Sequence, residues 1–474
     1  MGESAVRLTS VSIRNFKNVK AGNLSFLNTR KGYKASILGL YGQNGSGKTA
    51  LIDVLELLKY AMSGMPVPDV FADYIHVDSD MAEMEYEFEI KDEESVSRLK
   101  YQFCIGVKED YPAASSVEND FQNQSRICIF NEVLKCPIIS DKKIRISTLI
   151  DTTDSDTFTP ASKRALLAGN DKNAAASLLV ARKLSEETSR SFIFSREFLE
   201  VLGENEKNLN ETDYEFSYYH GLIKRLAYYA RFELFIINTR NSGLIRLNAL
   251  PLSFRYEYGH KLAQGTIPLP LDTPTVIPEN AKNLVDRMIA NMNIVLQEII
   301  PHLTVSVRNL GTQVMENGET GIRIQLMSEK NEKAIPLKYE SDGIKKIISI
   351  LQLLIVVYNR SSMTVAIDKL DAGVFEYLLG ELLRIISEKG KGQLIFTSHN
   401  LRILETIDRG FTAFTTVNPD HRYIRLANVK EQNNLRDIYY RGIMLGEQSD
   451  ELYELTNNSE IALAFMEAGV TDAE

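Results

Sequence analysis

Tryptophan is missing from all 474 residues, cysteine occurs three times, and positive charge is in deficit, with 54 Lys and Arg against 63 Asp and Glu and a net charge of −9. Cys104, Cys128 and Cys136 are too few and too irregularly placed for a disulfide framework or a four-ligand zinc site, so they read as buried structural thiols without redox chemistry. The acidic balance excludes a chain whose whole surface grips nucleic acid. It leaves room for a local basic strip and points toward a protein partner. No N-terminal stretch combines a basic start with an apolar run of signal-peptide length. The longest apolar run, Ile347–Tyr358, is too short to span a bilayer, so the expectation is a cytoplasmic protein with no membrane partner. Internal repeats and low-complexity segments are also lacking. What is present, 44% hydrophobic and 25% charged residues, suffices for a large core and two or three domains.

Hydrophobic patterning divides the chain. Leu8–Phe16 alternates apolar and polar residues as a half-buried strand does, and residues 35–41 form the apolar run of a central strand. Gly42–Thr49 is glycine-rich, and residues 49–62 carry apolar side chains at helical spacing, which gives the order strand, loop, helix. Strands expected at about 83–90, 99–107, 126–136 and 142–150 form an antiparallel layer. Helical stretches then dominate to about residue 300 (174–187, 218–232 and 280–300), broken by a proline-rich crossing at 268–278. Strands resume at 303–308 and 321–327. They are followed by a helix at 343–358, a strand at 364–368, a helix at 374–389 and a strand at 393–397.

Within this frame, Gly42-Gln43-Asn44-Gly45-Ser46-Gly47-Lys48-Thr49 fits G-x-x-x-x-G-K-[ST] between a strand and a helix, the context a phosphate-binding loop requires. Its glycines let backbone N–H groups turn toward phosphate oxygens at a helix N-terminus; Lys48 would reach the β- and γ-phosphates and Thr49 would ligate Mg²⁺. Thr364–Asp368 is an apolar strand ending in a carboxylate, so Asp368 is the expected second contributor to the Mg²⁺ shell. The implied cofactors are ATP and Mg²⁺. Ser341-Asp342-Gly343 stands at the start of a helix and by itself reads as an ordinary N-cap with a first-turn glycine.

Together these residues resemble the ABC-type ATPases that include the structural-maintenance, Rad50 and RecF proteins and the ATPases related to the overcoming-lysogenization-defect group. The resemblance covers roughly 1–150 and 300–420. It implies an α/β fold, an ABC-type P-loop ATPase head with an antiparallel β layer and an inserted helical domain. By this likeness Arg14, Asn15 and Phe16 belong to the first strand beside the nucleotide. Ser341 and Gly343 form the signature that contacts the γ-phosphate held by a second copy, Asp371 begins the D-loop, and His399 in Thr397–Asn400 is the switch histidine. The implied domains are 1–150 and 301–420 as the two halves of the head, 151–300 as a helical insertion for oligomerisation or docking, and 421–474 as a tail or interface element. For the glutamine that links the lobes of such heads, Gln102, Gln122 and Gln124 are candidates.

One position departs from the family pattern: Lys369 follows Asp368 where a water-activating Glu is expected. A lysine cannot accept that proton at neutral pH without a large pKa depression. Either this member lacks fast turnover or the residue was replaced to trap the nucleotide-bound state; Glu340 and His399 are alternative residues to orient the water. The layout resembles the stand-alone ATPase subunits of anti-phage systems, the AriA type of PARIS systems among them. That likeness implies a homo-oligomer of ATP-sandwich dimers, a toxin or nuclease partner of the AriB kind and a phage-encoded trigger. The alternative is a RecF- or Rad50-like repair ATPase with DNA bound across the dimer, to which Lys345, Lys346, Arg384 and Lys389 would contribute if they are not simply a solvated helix face.

Overall fold

The structure is a computed structural model, and it describes residues 4–27, 36–92, 95–109, 125–138, 145–170, 172–208, 213–238, 249–258, 261–270, 273–315, 318, 320–331, 333–426, 434–446 and 448–470. Its elements begin with strands β1 (Ala5–Phe16), β2 (Val19–Ser25) and β3 (Ser36–Tyr41), then helix α1 (Lys48–Ser63). Strands β4 (Met81–Lys91), β5 (Val96–Glu109), β6 (Ser125–Pro137) and β7 (Ile146–Asp151) follow. They assemble with the first two strands into a six-stranded sheet in the order β2-β1-β4-β5-β6-β7, antiparallel throughout. Strict alternation explains this layer. On β4, Ala82, Met84, Tyr86, Phe88 and Ile90 are buried. Between them Glu83, Glu85, Glu87 and Glu89 line the other face, where Arg14 and Arg7 of β1 and Lys100 and Arg98 of β5 lie in register with them. The glutamate row is therefore a charge-paired sheet face.

The stretch 151–300 is built from both kinds of element. Helices α2 (Ala161–Ala168), α3 (Lys172–Glu187), α4 (Arg196–Asn208) and α5 (Tyr214–Phe232) come first, then strands β8 (Leu234–Ile237), β9 (Ala249–Tyr258), β10 (Lys261–Pro270) and β11 (Thr275–Pro278), and helix α6 (Glu279–Ile299). Leu178, Phe192, Phe198, Tyr219 and Leu226 join the same core as β4 and α1, so these helices close the antiparallel layer rather than forming a core of their own. A buried carboxylate ties the two: Glu132 of β6 accepts from Tyr101 Oη (2.7 Å), Ser191 Oγ (2.5 Å) and Phe192 N (2.6 Å). Burial raises its pKa and those three donors lower it in part.

The second half continues with β12 (Leu303–Val314), β13 (Thr320–Lys330), β14 (Lys333–Pro336), α7 (Asp342–Asn359), β15 (Thr364–Ile367), α8 (Glu376–Lys389), β16 (Gln393–Thr397), β17 (Thr412–Thr415), β18 (Tyr423–Ile424), α9 (Leu435–Leu445) and α10 (Asn458–Val470). The central sheet runs β18-β17-β3-β16-β15-β8, parallel except at β18. Its strands are near-continuous apolar runs because helices cover both faces. The two halves of the chain therefore meet in one sheet, with β3 from the first half hydrogen-bonded between β16 and β17 of the second. The result is a mixed α/β fold in which an antiparallel layer stands beside a largely parallel central sheet. Among the described residues no helix is long and apolar enough to cross a membrane.

Candidate nucleotide site

The turn from β3 into α1 requires left-handed backbone at its glycines: φ is +154° at Gly42, +75° at Gly45 and +93° at Gly47. At Gly42 a Cβ would lie 1.7 Å from Thr415 Oγ1, so no larger residue fits. Ser46 Oγ sits 2.6 Å from Gln43 O and 2.5 Å from Thr415 Oγ1, which fastens the loop to β17. The Lys48 ammonium donates to the carbonyls of Gly42 and Gln43, both at 2.7 Å. Burial pushes its pKa down to about 8; Asp368 and Asp371 oppose this shift, and Lys369 adds to it.

Because β15 and β16 are parallel neighbours, their C-terminal ends deliver Asp368 and Thr397 together. Thr397 Oγ1 donates to Asp368 Oδ1 at 2.5 Å and accepts the Lys369 N–H at 2.8 Å. On the other side of the carboxylate, Thr49 Oγ1 lies 3.2 Å from Asp368 Oδ2. A hydroxyl beside a carboxylate is a hard-oxygen pair of the kind Mg²⁺ prefers. Lys369 has φ +51° and is exposed, so the backbone turns at the strand end and its side chain lines the site. Asp371 Oδ2 accepts the His399 N–H at 3.0 Å, which joins the turn after β15 to the turn after β16. The His399 imidazole is held below its ordinary pKa by partial burial and then by Lys48.

These groups surround a cavity of about 310 Å³ whose lining includes Asn44, Gly45, Gly47, Lys48, Thr49, Asp368, Lys369, Thr397 and His399. The other expected residues are placed differently. Phe16 is fully buried against Tyr74, Arg14 points outward to Glu83 at 3.8 Å, and Asn15 Nδ2 donates to Ser79 Oγ at 3.1 Å. The reason is a tight turn, with Asn15 and Lys17 at φ +54° and +52°. It swings the next two residues, Lys17 and Asn18, into the cavity wall instead. Lys17 pairs with Asp53 of α1 and lies 3.6 Å over the Tyr74 ring, and Asn18 Nδ2 donates to the Gly45 carbonyl.

Ser341 and Gly343 do not line the cavity. Ser341 is an exposed N-cap, its Oγ accepting from Ile344 N at 3.3 Å. A Cβ on Gly343 would come within 2.4 Å of the Gly373 carbonyl, so the glycine lets the turn before α7 pack on the segment after β15. Glu340 accepts from Ser328 Oγ at 2.5 Å, away from the cavity. Gln102 donates to Glu83 on the sheet face at 2.7 Å, while Gln122 and Gln124 lie outside the described residues. The basic residues of α7 are not a solvated face: Lys345 and Lys346 are 6% and 4% exposed, and Lys345 bonds Asp342 at 2.8 Å. Sequence reading also missed the support under the loop. Tyr423 Oη donates to Gly47 O at 2.9 Å, Arg422 donates to Asn18 O at 2.5 Å, and Glu454 N donates to Gln43 Oε1 at 3.0 Å.

The sequence pattern of the AAA ATPase domain family matches residues 7–404. The chain belongs to that family. No curated protein matches the sequence. Among solved structures, a Smc head bound to the C-winged helix domain of ScpA is 11% identical with a TM-score of 0.41, covering 89% of this chain and 98% of that one. The SMC head domain from Thermotoga maritima is 11% identical with a TM-score of 0.36, covering 89% and 99%. The recombination mediator protein RecF with ATP is 12% identical with a TM-score of 0.36, covering 90% and 100%. For this ATPase family a nucleotide and Mg²⁺ are the implied cofactors, and the residues present fit both. The glycine turns supply backbone N–H groups and a cationic Lys48 for phosphate oxygens, and Thr49 with Asp368 supplies oxygen ligands for the metal.

Proposed function

We propose that this ATPase is a nucleotide-held switch and scaffold. Two copies clamp two ATP–Mg²⁺ between them, turnover is slow, and the assembly restrains a separate toxin or nuclease of the AriB kind until a phage-encoded protein triggers its release. The observation that carries the reading is Lys369, exposed on the cavity wall beside Asp368 where a carboxylate would serve as base. Bound Mg²⁺ would supply charge neutralisation at the transferring phosphate. Lys48 and the loop N–H groups would grip the phosphates, Thr49 and Asp368 would hold the metal, and His399 would face the γ-phosphate. Lys369 puts an amine where a carboxylate base would stand, so this wall favours retention over turnover. The exposed Ser341 N-cap and the Gly343–Gly373 contact support a face that serves a second copy's nucleotide, with the self-complementary symmetry a two-fold dimer has.

The repair-ATPase alternative loses part of its basis, because Lys345 and Lys346 are buried and Arg384 is paired with Glu381 and Glu388. The test is co-expression with the product of a neighbouring toxin or nuclease gene. The reading expects a stable complex and suppressed toxicity, both lost in Lys48→Ala. Toxicity undiminished by the wild-type ATPase, with no complex formed, would remove the defence role and leave the ATPase assignment standing.

A further inference from the structure

The shape of the glycine-rich loop 42–49 depends on residues far along the chain. Residues 450–454 form neither helix nor strand, yet contacts at Asp450, Glu451, Leu452 and Glu454 fix them. Asp450 accepts from Asn418 Nδ2 at 3.0 Å and lies 2.7 Å from His421 Nδ1. The Glu451 carbonyl accepts from Val417 N at 2.8 Å. Leu452 is fully buried, in the same core as Phe414 and Tyr439. A Cβ on Gly442 of α9 would lie 2.8 Å from Leu452 Cδ1, so the helix is notched where the segment crosses it. Glu454 N then reaches Gln43 Oε1 at 3.0 Å.

Gln43 is where this segment meets the site. Its carbonyl accepts from Lys48 Nζ at 2.7 Å and from Ser46 Oγ at 2.6 Å. Its side chain does not line the cavity and is taken by the Glu454 N–H instead. One residue thus joins the segment to the lysine that lines the cavity. The β17–β18 hairpin, which holds Asp450 and Glu451, also fastens the loop and its neighbour: Thr415 meets Ser46, Tyr423 meets Gly47 and Arg422 meets Asn18. The hairpin and the segment both lie past residue 404, where the match to the AAA ATPase domain family ends. A loop whose glycines leave it many conformations gains most from being held in one of them.

We infer that residues 450–454 are a strap that pins the glycine-rich loop through Gln43, a positioning residue, and so slows the release of a bound nucleotide. The inference rests on the reading of that loop as the nucleotide's holder, and it adds the C-terminal segment to what controls the hold. The strap works by preorganisation. With the Gln43 side chain fixed, its carbonyl keeps the orientation in which Lys48 lines the cavity, and a nucleotide meets a loop already shaped. With the strap open, the same loop must be ordered at the moment of binding, which costs affinity mainly through faster dissociation.

Hydrogen exchange in the full chain without nucleotide reads the pin directly. Glu454→Pro removes the donated N–H from the strap without touching the loop, and Gln43→Leu removes its acceptor. Each should speed exchange of the amides of residues 44–48 by about 3- to 10-fold, the worth of one net hydrogen bond. The double variant should exchange no faster than either single one, because both remove the same bond. Glu454→Ala keeps the N–H and should match the wild type. A fluorescent ATP analogue should leave both pin variants faster by a similar factor, with its association rate little changed. Wild-type exchange and release in both variants would overturn the inference alone, as would additive effects of the two or an equal loss in Glu454→Ala. A wild type that binds no analogue, with the exchange differences intact, would overturn the nucleotide reading and with it the control of release, leaving only the pin.

Discussion

Helices α1 and α7 both begin at glycine-bearing polar turns, yet α1 presents its N-terminus to a cavity of its own chain and α7 presents its N-terminus to solvent. At α1, the glycine φ angles, the Lys48 ammonium and the support from Thr415 and Tyr423 shape a turn that lines a cavity of the same chain. At α7, Ser341 Oγ is used up capping Ile344, and Gly343 is needed for a close approach to Gly373. The same local signal, a small polar turn before a helix, thus has two meanings. What separates them is which strands end beside the turn: β15 and β16 end at α1, bringing Asp368 and Thr397 with them.

The largest expected effect sharpens the contrast on the α1 side. Lys369→Glu restores a carboxylate beside Asp368, and steady-state phosphate release should rise by about 10²–10⁴-fold, the usual contribution of a general base, with nucleotide affinity changed little. Equal turnover in the two proteins would show that position 369 is not the base site.

Ser341→Arg addresses the α7 side. If that turn faces a second copy's nucleotide, the change buries an unpaired charge at about 3–5 kcal/mol, and ATP-dependent dimerisation should weaken by about 10²–10³-fold. ATP binding by the single chain should be untouched. An ATP-dependent dimer of undiminished affinity, measured by analytical ultracentrifugation, would leave Ser341 a plain N-cap.

Lys48→Ala should reduce affinity for a fluorescent ATP analogue by about 10²-fold or more, because it removes charge-assisted bonds to the phosphates. Unchanged affinity would break the assignment of α1 as the cradle.

The smallest effect concerns what holds Lys17 at the cavity. Burial raises the Asp53 pKa to about 6, with the Lys17 pair opposing it. A raised carboxylate binds more protons in the folded state. Its contribution is therefore favourable at low pH and is lost as pH climbs from about 4 to about 6, by up to roughly 3 kcal/mol. Asp53→Asn should flatten that part of the stability profile in denaturant titrations; an identical profile would show that Asp53 titrates normally.

Much of the site could be read from the residues in order. Gly42–Thr49 announces itself through spacing, and Asp368 through the apolar strand before it. Three misplacements have specific causes. Arg14, Asn15 and Phe16 were expected at the nucleotide, but the positive φ of Asn15 and Lys17 moves the useful side chains on to Lys17 and Asn18. Lys345 and Lys346 look like a solvated face in sequence, and only the packing of α7 buries them. Arg422 and Tyr423 carry no motif at all, because their role exists through contact with a loop that lies nearly the whole chain away.

Local chemistry, then, was enough to determine that this protein has a glycine-rich turn of the phosphate-loop pattern between a strand and a helix, ends a second strand on the carboxylate of Asp368 and places Lys369 directly after it. Each of these depends on backbone freedom or side-chain type at neighbouring positions, which a sequence states directly. The tertiary structure decided which helix start faces the cavity, that the helices after residue 151 close the antiparallel layer, and that β3 is inserted between β16 and β17. Those outcomes depend on pairings between residues hundreds of positions apart, set by which apolar faces can be buried together, and no local pattern records them.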